Sequence, residues 1–555
     1  MLSKKRILTT IFILFIFFFT SIPWVYSSSP FIPSSKELQT VWNENWEYYQ
    51  QIDIPIDTAA DIAIYQPIDI NIEFREKCWA INETLHSIRV CCWDGKTWHE
   101  LESQIYDLNY SDDIHITSCG LVFLIPSFAD GSEQYFVYYD AQVKPVAEYP
   151  DHVSIRDEYY YYEPISGIAV EGDYYEIRQN EDVIYGVGQK GKVMNRRLSQ
   201  IAIRMKPGTK NFDILNTDLL TSFSFSYQNG VKDEDEIASD QQLISKEIIV
   251  DGNLMTEFLI ISESENGFIR SSNIYKYYYN PSDAKRIDVH VKHEILNECV
   301  VNGVENADGR FGTIISFHSK SESMKKMVFG SILPFVHVYG ENNRINEYSI
   351  NTNPESKTRE WAISYEDDCD LGSKAWLSYD EGISGKTHGI LFSSNLNLIS
   401  NASLERDGVE VKSAGKEYLD LVGAEVDYVS VSFGRNAFER FQEHDLVIDK
   451  GLVVEFDAAF LTLQNGTYED IDRESDYFQT LVRHRHQSDG DRSGENNINT
   501  LTVIPHFLGR LFSFPILRNL TNLPLPVLTA ELYQNDTLID QQTLKQVFLG
   551  IPSFK

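Results

Sequence analysis

From Trp46 to Phe456 the chain is built of short runs in which apolar and polar residues alternate, with no convincing amphipathic helical stretch between Ile155 and Phe456. This constrains the fold most, because a period of two gives one buried and one solvated face only in a pleated strand. Arg286–His293 alternates strictly, and Val426, Tyr428, Ser430 and Ser432 oppose Asp427, Val429, Val431 and Phe433. Ser87–Trp93 is followed by Asp94-Gly95 and then Lys96–Trp98, the strand, turn and strand of a hairpin. Glu247–Val250 ends on Asp251-Gly252 in the same way, and Phe258–Ile261, Leu121–Ile125 and Gln134–Tyr139 read as further strands. Ile62–Ile72 alternates around Pro67, as at an edge or a bulge.

Such spacing of strands and turns predicts an all-β fold of sandwiches. A chain of 555 residues is too long for one core. The expected division is a signal peptide or membrane anchor at 1–29, an N-terminal β-sandwich at 45–150 and a large, expanded β-sandwich at 155–467. A helix and linker at 468–497 and a partial Ig-like β domain at 498–555 follow. The helix is expected over Tyr468–Arg485, with Tyr477, Phe478, Leu481 and Val482 on one side, and Gln487–Glu495 has linker composition. Leu501–Ile504, Val527–Tyr533 and Gln546–Leu549 read as three strands, too few to close a sandwich.

Lys4, Lys5 and Arg6 precede an apolar run from Ile7 to Phe19 that fades by Tyr26 into serines. A basic cluster, an apolar stretch and a small-residue exit make an export leader, cleaved near Val25-Tyr26-Ser27 or kept as a hydrophobic helical anchor. Either way the body is expected outside the cytoplasm, secreted or membrane-anchored, with the membrane as a partner if the leader stays. N-x-[ST] acceptors for glycan then stand at Asn82, Asn109, Asn401, Asn465, Asn519 and Asn535. Cys78, Cys91, Cys92, Cys119, Cys299 and Cys369 show no C-x-x-C spacing, so disulfides and buried thiols both stay open. A net charge of −34 argues against nucleic acid and against anionic lipid, and leaves a neutral glycan or a cation.

No nucleophile elbow, zinc-protease motif or P-loop is present. Gly186–Gly191 matches a dinucleotide fingerprint by letters, but it opens no helix and reads as a turn between strands. His290 and His293 fall on opposite faces of one strand, and each reads as a packing or surface histidine. His337 and Tyr339 share a face in an apolar run, a spacing that suits proton transfer. Asp367, Asp368 and Asp370 crowd carboxylates that would hold a calcium ion in a loop. Trp376, Tyr379, Asp380 and His388 follow, an aromatic and acidic set that would stack on a sugar ring and bond its hydroxyls. This segment with His337 and Arg435 is the best site candidate; Arg483–His486 reads as the charged end of a helix.

Ile88-Arg89-Val90, Asp94-Gly95, Leu101–Ile105 with its Ser103-Gln104, Leu121–Phe123 and Tyr135–Asp140 resemble the small β-sandwiches that precede catalytic domains in surface glycan-degrading proteins. The long middle region is similar to the expanded sandwich of the galactose-mutarotase-like superfamily, best over Glu360-Trp361 through Phe392. Polysaccharide lyases and several glycoside hydrolases carry that fold. The resemblance implies an extracellular protein that recognises or processes carbohydrate, as a lyase or hydrolase if it is an enzyme. The helical toroid that often accompanies lyase sandwiches is missing, which weighs more on catalysis than on sugar binding. A non-catalytic structural or adhesive cell-envelope protein is the alternative.

Overall fold

A computed structural model describes residues 41–165, 168–189, 201–209, 219–228, 241–264, 266–301, 310–319, 335–339, 344–349, 351–353, 358–360, 374, 376–393, 409–419, 424–436, 446–492, 528–534 and 537–544. The fold is all-β, with paired strands antiparallel throughout the described residues. Of the first unit the described residues are 41–47, in which Trp42 and Trp46 meet edge to face at 5.0 Å. The leader lies outside the described residues.

Two sheets close over one core between Tyr48 and Tyr139. One runs Tyr48–Ile52, Gln134–Tyr139, Arg89–Trp93, Trp98–Leu101, and the other Pro67–Trp79, His115–Leu124, Ser103–Asp112. Ile68, Val90, Ile105, Leu121, Phe123 and Val137 fill the space between them. Pro67 begins its strand, where a missing N–H costs no ladder bond. The residues before it, expected as strand, instead turn through a short helix at Asp61–Ala63 and a left-handed Tyr65. Asp94 turns the hairpin by accepting the N–H groups of Lys96 and Thr97, and Gly95 takes φ +86°, so Lys96 and Thr97 belong to the turn.

The middle of the chain makes two larger sheets. Nine strands run in the order Gln241–Asp251, Met255–Ser264, Ile269–Tyr278, Lys285–Ile295, Val453–Gly466, Gly385–Phe392, Trp376–Asp380, Phe335–Tyr339, Ile345–Ser349. Eight run Val409–Leu419, Ala424–Asn436, Arg310–Ser319, Leu219–Gln228, Ile201–Thr209, Asp182–Gln189, Ile168–Gln179, Val153–Ile165. Aromatic rings join the facing surfaces, with Tyr185 against Tyr277 and Phe460 at 5.8 and 6.0 Å, and Tyr175 against Phe258 at 5.3 Å. Gly186 and Gly188 lie within the strand Asp182–Gln189 and not in the expected turn.

The helix Tyr468–Arg492 covers the outer face of the nine-stranded sheet at Trp376–Asp380, Gly385–Phe392 and Val453–Gly466, and it continues past Arg485 into residues expected as linker. Ile471, Phe478 and Val482 pack on Trp376, Leu391, Ala459 and Leu461, while Tyr477 stays half-exposed and bonds the carbonyl of Asp57. Asp470 accepts the Thr467 N–H at 2.8 Å, as the third-position acid of a capping box does. Among the described C-terminal residues, Leu528–Gln534 pairs with Thr537–Leu544, a strand the sequence did not announce. The expected strands 501–504 and 546–549 lie outside the described residues.

Candidate functional site

The seven-residue core of the site comes from one end of the nine-stranded sheet and the start of the helix. Its strands Phe335–Tyr339 and Ile345–Ser349 pair His337 with Glu347, and Phe335–Tyr339 also pairs His337 with Ser378. Strand alternation sends all three side chains to the outer face. There the His337 ring is 2% exposed and stacks on Tyr468 at 3.9 Å. Its Nδ1 meets Asp380 Oδ2 at 2.8 Å and its Nε2 meets Glu347 Oε2 at 3.1 Å.

Asp380 is sealed and fully engaged. Oδ2 also accepts the Ser378 hydroxyl at 2.7 Å, and Oδ1 accepts the Gly382 N–H at 2.9 Å. Gly382 takes φ +96°, and a Cβ there would meet the Phe335 ring, so glycine is required at this corner. Glu347 sits on the edge strand with its side chain 57% exposed. The three groups form a line from a buried carboxylate through an imidazole to a carboxylate in solvent. The open end of the line is Glu347.

The other expected site residues divide among several places. Tyr339 lies on the same face as His337, tilted on Trp376 at 6.4 Å and beneath the Lys374 ammonium at 5.7 Å. Trp376 is fully buried and donates its indole N–H to Asp472 Oδ1 at 2.8 Å. Tyr379 points inward, since it neighbours Asp380 on the strand, and is also fully buried. With no ring face open, neither Trp376 nor Tyr379 is the stacking platform that their sequence setting suggests. His388 also turns inward, against Phe460 and hydrogen-bonded to Thr462 Oγ1 at 2.8 Å. Burial pulls its pKa down to about 3. It therefore stands on the opposite face from His337. Arg435 belongs to the eight-stranded sheet, paired with Phe311. Asp367, Asp368 and Asp370, and with them the calcium expectation, lie outside the described residues. Among the acceptor asparagines, Asn109 and Asn465 are exposed, Asn82 is half-exposed in a turn with Thr84, and Asn401, Asn519 and Asn535 lie outside the described residues.

A second polar cluster stands on the same outer face, further along the sheet. His290 meets Asp457 Oδ1 at 3.0 Å and Glu455 Oε1 at 2.8 Å. Burial opposes its charge, but those two carboxylates outweigh it and push the pKa up to about 9. His293, on the other face as expected, is buried beside Ser271 and pulled down to about 3 by desolvation.

No protein-family model and no curated protein sequence matches the chain. Solved structures similar to it include the galactosidase domain of an alpha-galactosidase-sucrose kinase, at 13% identity and a TM-score of 0.26, covering 57% of this chain. The chain spans 40% of that structure's length. A GalM/aldose epimerase homologue from C. elegans is another, at 8% identity and a TM-score of 0.24, covering 56% of this chain and 100% of its own. Likenesses of this size say nothing of activity.

Glu347, Ser378 and Tyr468 were not among the residues the sequence singled out. A signal for Glu347 exists: Gly340–Asn343 is a turn-rich break between two strand-like runs, and folding it as a hairpin sets Glu347 beside His337.

Proposed function

We propose that this is an extracytoplasmic protein that recognises carbohydrate and processes it by proton transfer at Glu347, with His337 and Asp380 as the groups that hold Glu347's proton and position. The observation that carries the reading is the line Asp380–His337–Glu347, sealed at one end and open at the other. A surface carboxylate alone exchanges its proton only with water. One hydrogen-bonded to a buried imidazole, itself fixed by a carboxylate with three donors, has an internal partner for that proton. An acid or base so placed suits proton donation to a departing glycosidic oxygen or the removal of a proton from a sugar ring. The basic and apolar N-terminal run supports the extracytoplasmic placement, and the charge of −34 supports a neutral glycan over a polyanion.

The test is turnover of a panel of neutral and anionic polysaccharides, read as new reducing ends and as unsaturated sugar. Glu347→Gln should lower turnover by roughly 100- to 10,000-fold, the usual range for a general acid or base. Activity unchanged in Glu347→Gln refutes the assignment. A second reading, a rigid non-catalytic spacer of the cell envelope, is favoured by the charged joint that fixes the N-terminal sandwich to the nine-stranded sheet. No turnover together with no glycan binding would decide for the spacer.

A further inference from the structure

The helix Tyr468–Arg492 serves two structures at once. One stripe of it, Tyr468, Ile471, Phe478 and Val482, packs on the nine-stranded sheet. A second stripe, Glu474, Tyr477 and Leu481, three and four residues apart, faces the N-terminal sandwich. Leu481 joins the core of that sandwich, and Tyr477 donates its hydroxyl to the Asp57 carbonyl at 3.2 Å. Glu474 accepts Gln66 Nε2 at both carboxylate oxygens, at 3.0 and 2.9 Å. Arg286 of the sheet closes this buried network. Its Nη1 donates to Gln66 Oε1 at 2.9 Å and reaches Glu474 Oε2 at 3.4 Å, while its Nε donates to Asp288 at 2.9 Å. Apolar side chains at these positions would cover the sheet equally well and spare the cost of burying charge. What the network adds is direction: partners on the sandwich, the sheet and the helix fix the helix along and about its axis.

The first residue of the same helix is Tyr468, six residues before Glu474 and so about 9 Å along the axis. Its ring stacks on the His337 imidazole at 3.9 Å. Thr467 donates its N–H and its hydroxyl to Asp470 Oδ2, at 2.8 and 3.2 Å, which closes the first turn and holds Tyr468 to the helix. A shift of the helix is therefore a shift of the ring that covers His337. A misplacement of about 1 Å can cost a reaction about 100-fold.

We infer that the N-terminal sandwich sets the geometry of the acid–base line through this helix, with Gln66 and Glu474 as the grip and Tyr468 as the positioning residue for His337. The inference rests on the acid–base reading above. The experiment uses the full chain isotope-labelled at the histidine Cε1 atoms and read by NMR; the His337 signal is the one missing from His337→Gln. Tyr468→Leu should move that signal, and Tyr468→Phe, which keeps the ring, should return it most of the way. Gln66→Met and Glu474→Gln should move it in the same direction as Tyr468→Leu. The signals of His388 and His293, buried on the inner face of the same sheet, should stay in place. On the polysaccharide panel above, Gln66→Met should lower kcat about tenfold to 100-fold and leave KM within about twofold. Gln66→Met keeps the length of the side chain and Glu474→Gln its shape, so the test survives the failure of either to fold. A His337 signal that stays in place in both grip variants, or that moves only together with those of His388 and His293, overturns the inference. So does a kcat unchanged in Gln66→Met where Glu347→Gln loses turnover. Wild-type turnover in Glu347→Gln, with the His337 signal moving as expected, refutes the acid–base reading and leaves the coupling standing.

Discussion

Replacing Asp69 by alanine should loosen the joint between the N-terminal sandwich and the nine-stranded sheet more than any other single truncation there. Asp69 Oδ1 accepts the Tyr106 hydroxyl at 2.6 Å, and Oδ2 accepts the Tyr278 hydroxyl at 2.7 Å and faces Lys276 at 3.4 Å. All four side chains are buried or nearly so, and Lys276 keeps a second partner in Glu257 at 2.9 Å. Burial opposes the Lys276 charge, yet its acidic and phenolic neighbours hold its pKa well above the ordinary range. Each hydrogen bond to a charged acceptor contributes about 1.5–3 kcal/mol, and breaking a buried pair on one side costs about 3–5 kcal/mol. The retained Glu257 contact argues for the lower half of that range, about 3 kcal/mol. Tenfold corresponds to about 1.4 kcal/mol, so amide exchange through local opening should quicken about 100-fold in Pro67–Trp79 and Ile269–Tyr278. Asp69→Asn keeps the shape and one acceptor, and should quicken it only about tenfold. Hydrogen–deuterium exchange read by peptide mass is the assay. Exchange within about threefold of wild type in Asp69→Ala would mean that water already satisfies these groups and that the buried-network reasoning fails.

Stability should peak near neutral pH, for two opposed reasons. His290 has a folded pKa of about 9 against an ordinary 6.5, so its contribution is complete below 6.5 and disappears as pH rises to 9. His388 and His293, at about 3, contribute above 6.5 and lose that contribution as pH falls toward 3. Urea midpoints measured against pH should lose the alkaline slope in His290→Gln and keep the acid one; an unchanged alkaline slope refutes the assignment. Cys78, Cys91 and Cys92 are free and buried and Cys119 is buried, with burial pushing the thiols of Cys78 and Cys92 up to about 12. They should resist a thiol-labelling reagent at pH 8 until urea unfolds the protein, and rapid labelling of native protein would contradict that. Phe478→Ala should cost about 3–5 kcal/mol by opening a cavity between the helix and the sheet, seen as a lowered unfolding midpoint, and a loss below about 1 kcal/mol would show that the helix does not seal that face.

The strands were legible either by alternation, as in Arg286–His293, or as a continuous aromatic and apolar run buried on both faces, as in Gln134–Tyr139. Pro67 was legible as an interruption, but the chain before it folds as a turn because Tyr65 adopts a left-handed backbone that no apolar count reveals. For the site, the pairing of His337 with Asp380 depends on which strands become neighbours, and sequence spacing is silent on that. Trp376 and Tyr379 read as surface rings because Asp380, Glu381, Lys386 and His388 follow them closely. The helix Tyr468–Arg492 covers Trp376, and Tyr379 is buried on the opposite face of the sheet, both by long-range packing. Gln104 shows the same limit. Its side-chain oxygen accepts the N–H groups of Leu254 and Met255, each at 2.8 Å, and this clamp cannot be read from a strand 150 residues away.

Diffraction from crystals soaked with a neutral hexaose that the protein binds addresses the acid–base assignment most directly. A sugar oxygen or ring hydrogen-bearing carbon within hydrogen-bonding reach of the Glu347 carboxylate, with His337 still bridging to Asp380, is the predicted result. Sugar density confined to other surfaces, with Glu347 facing only solvent, would contradict it.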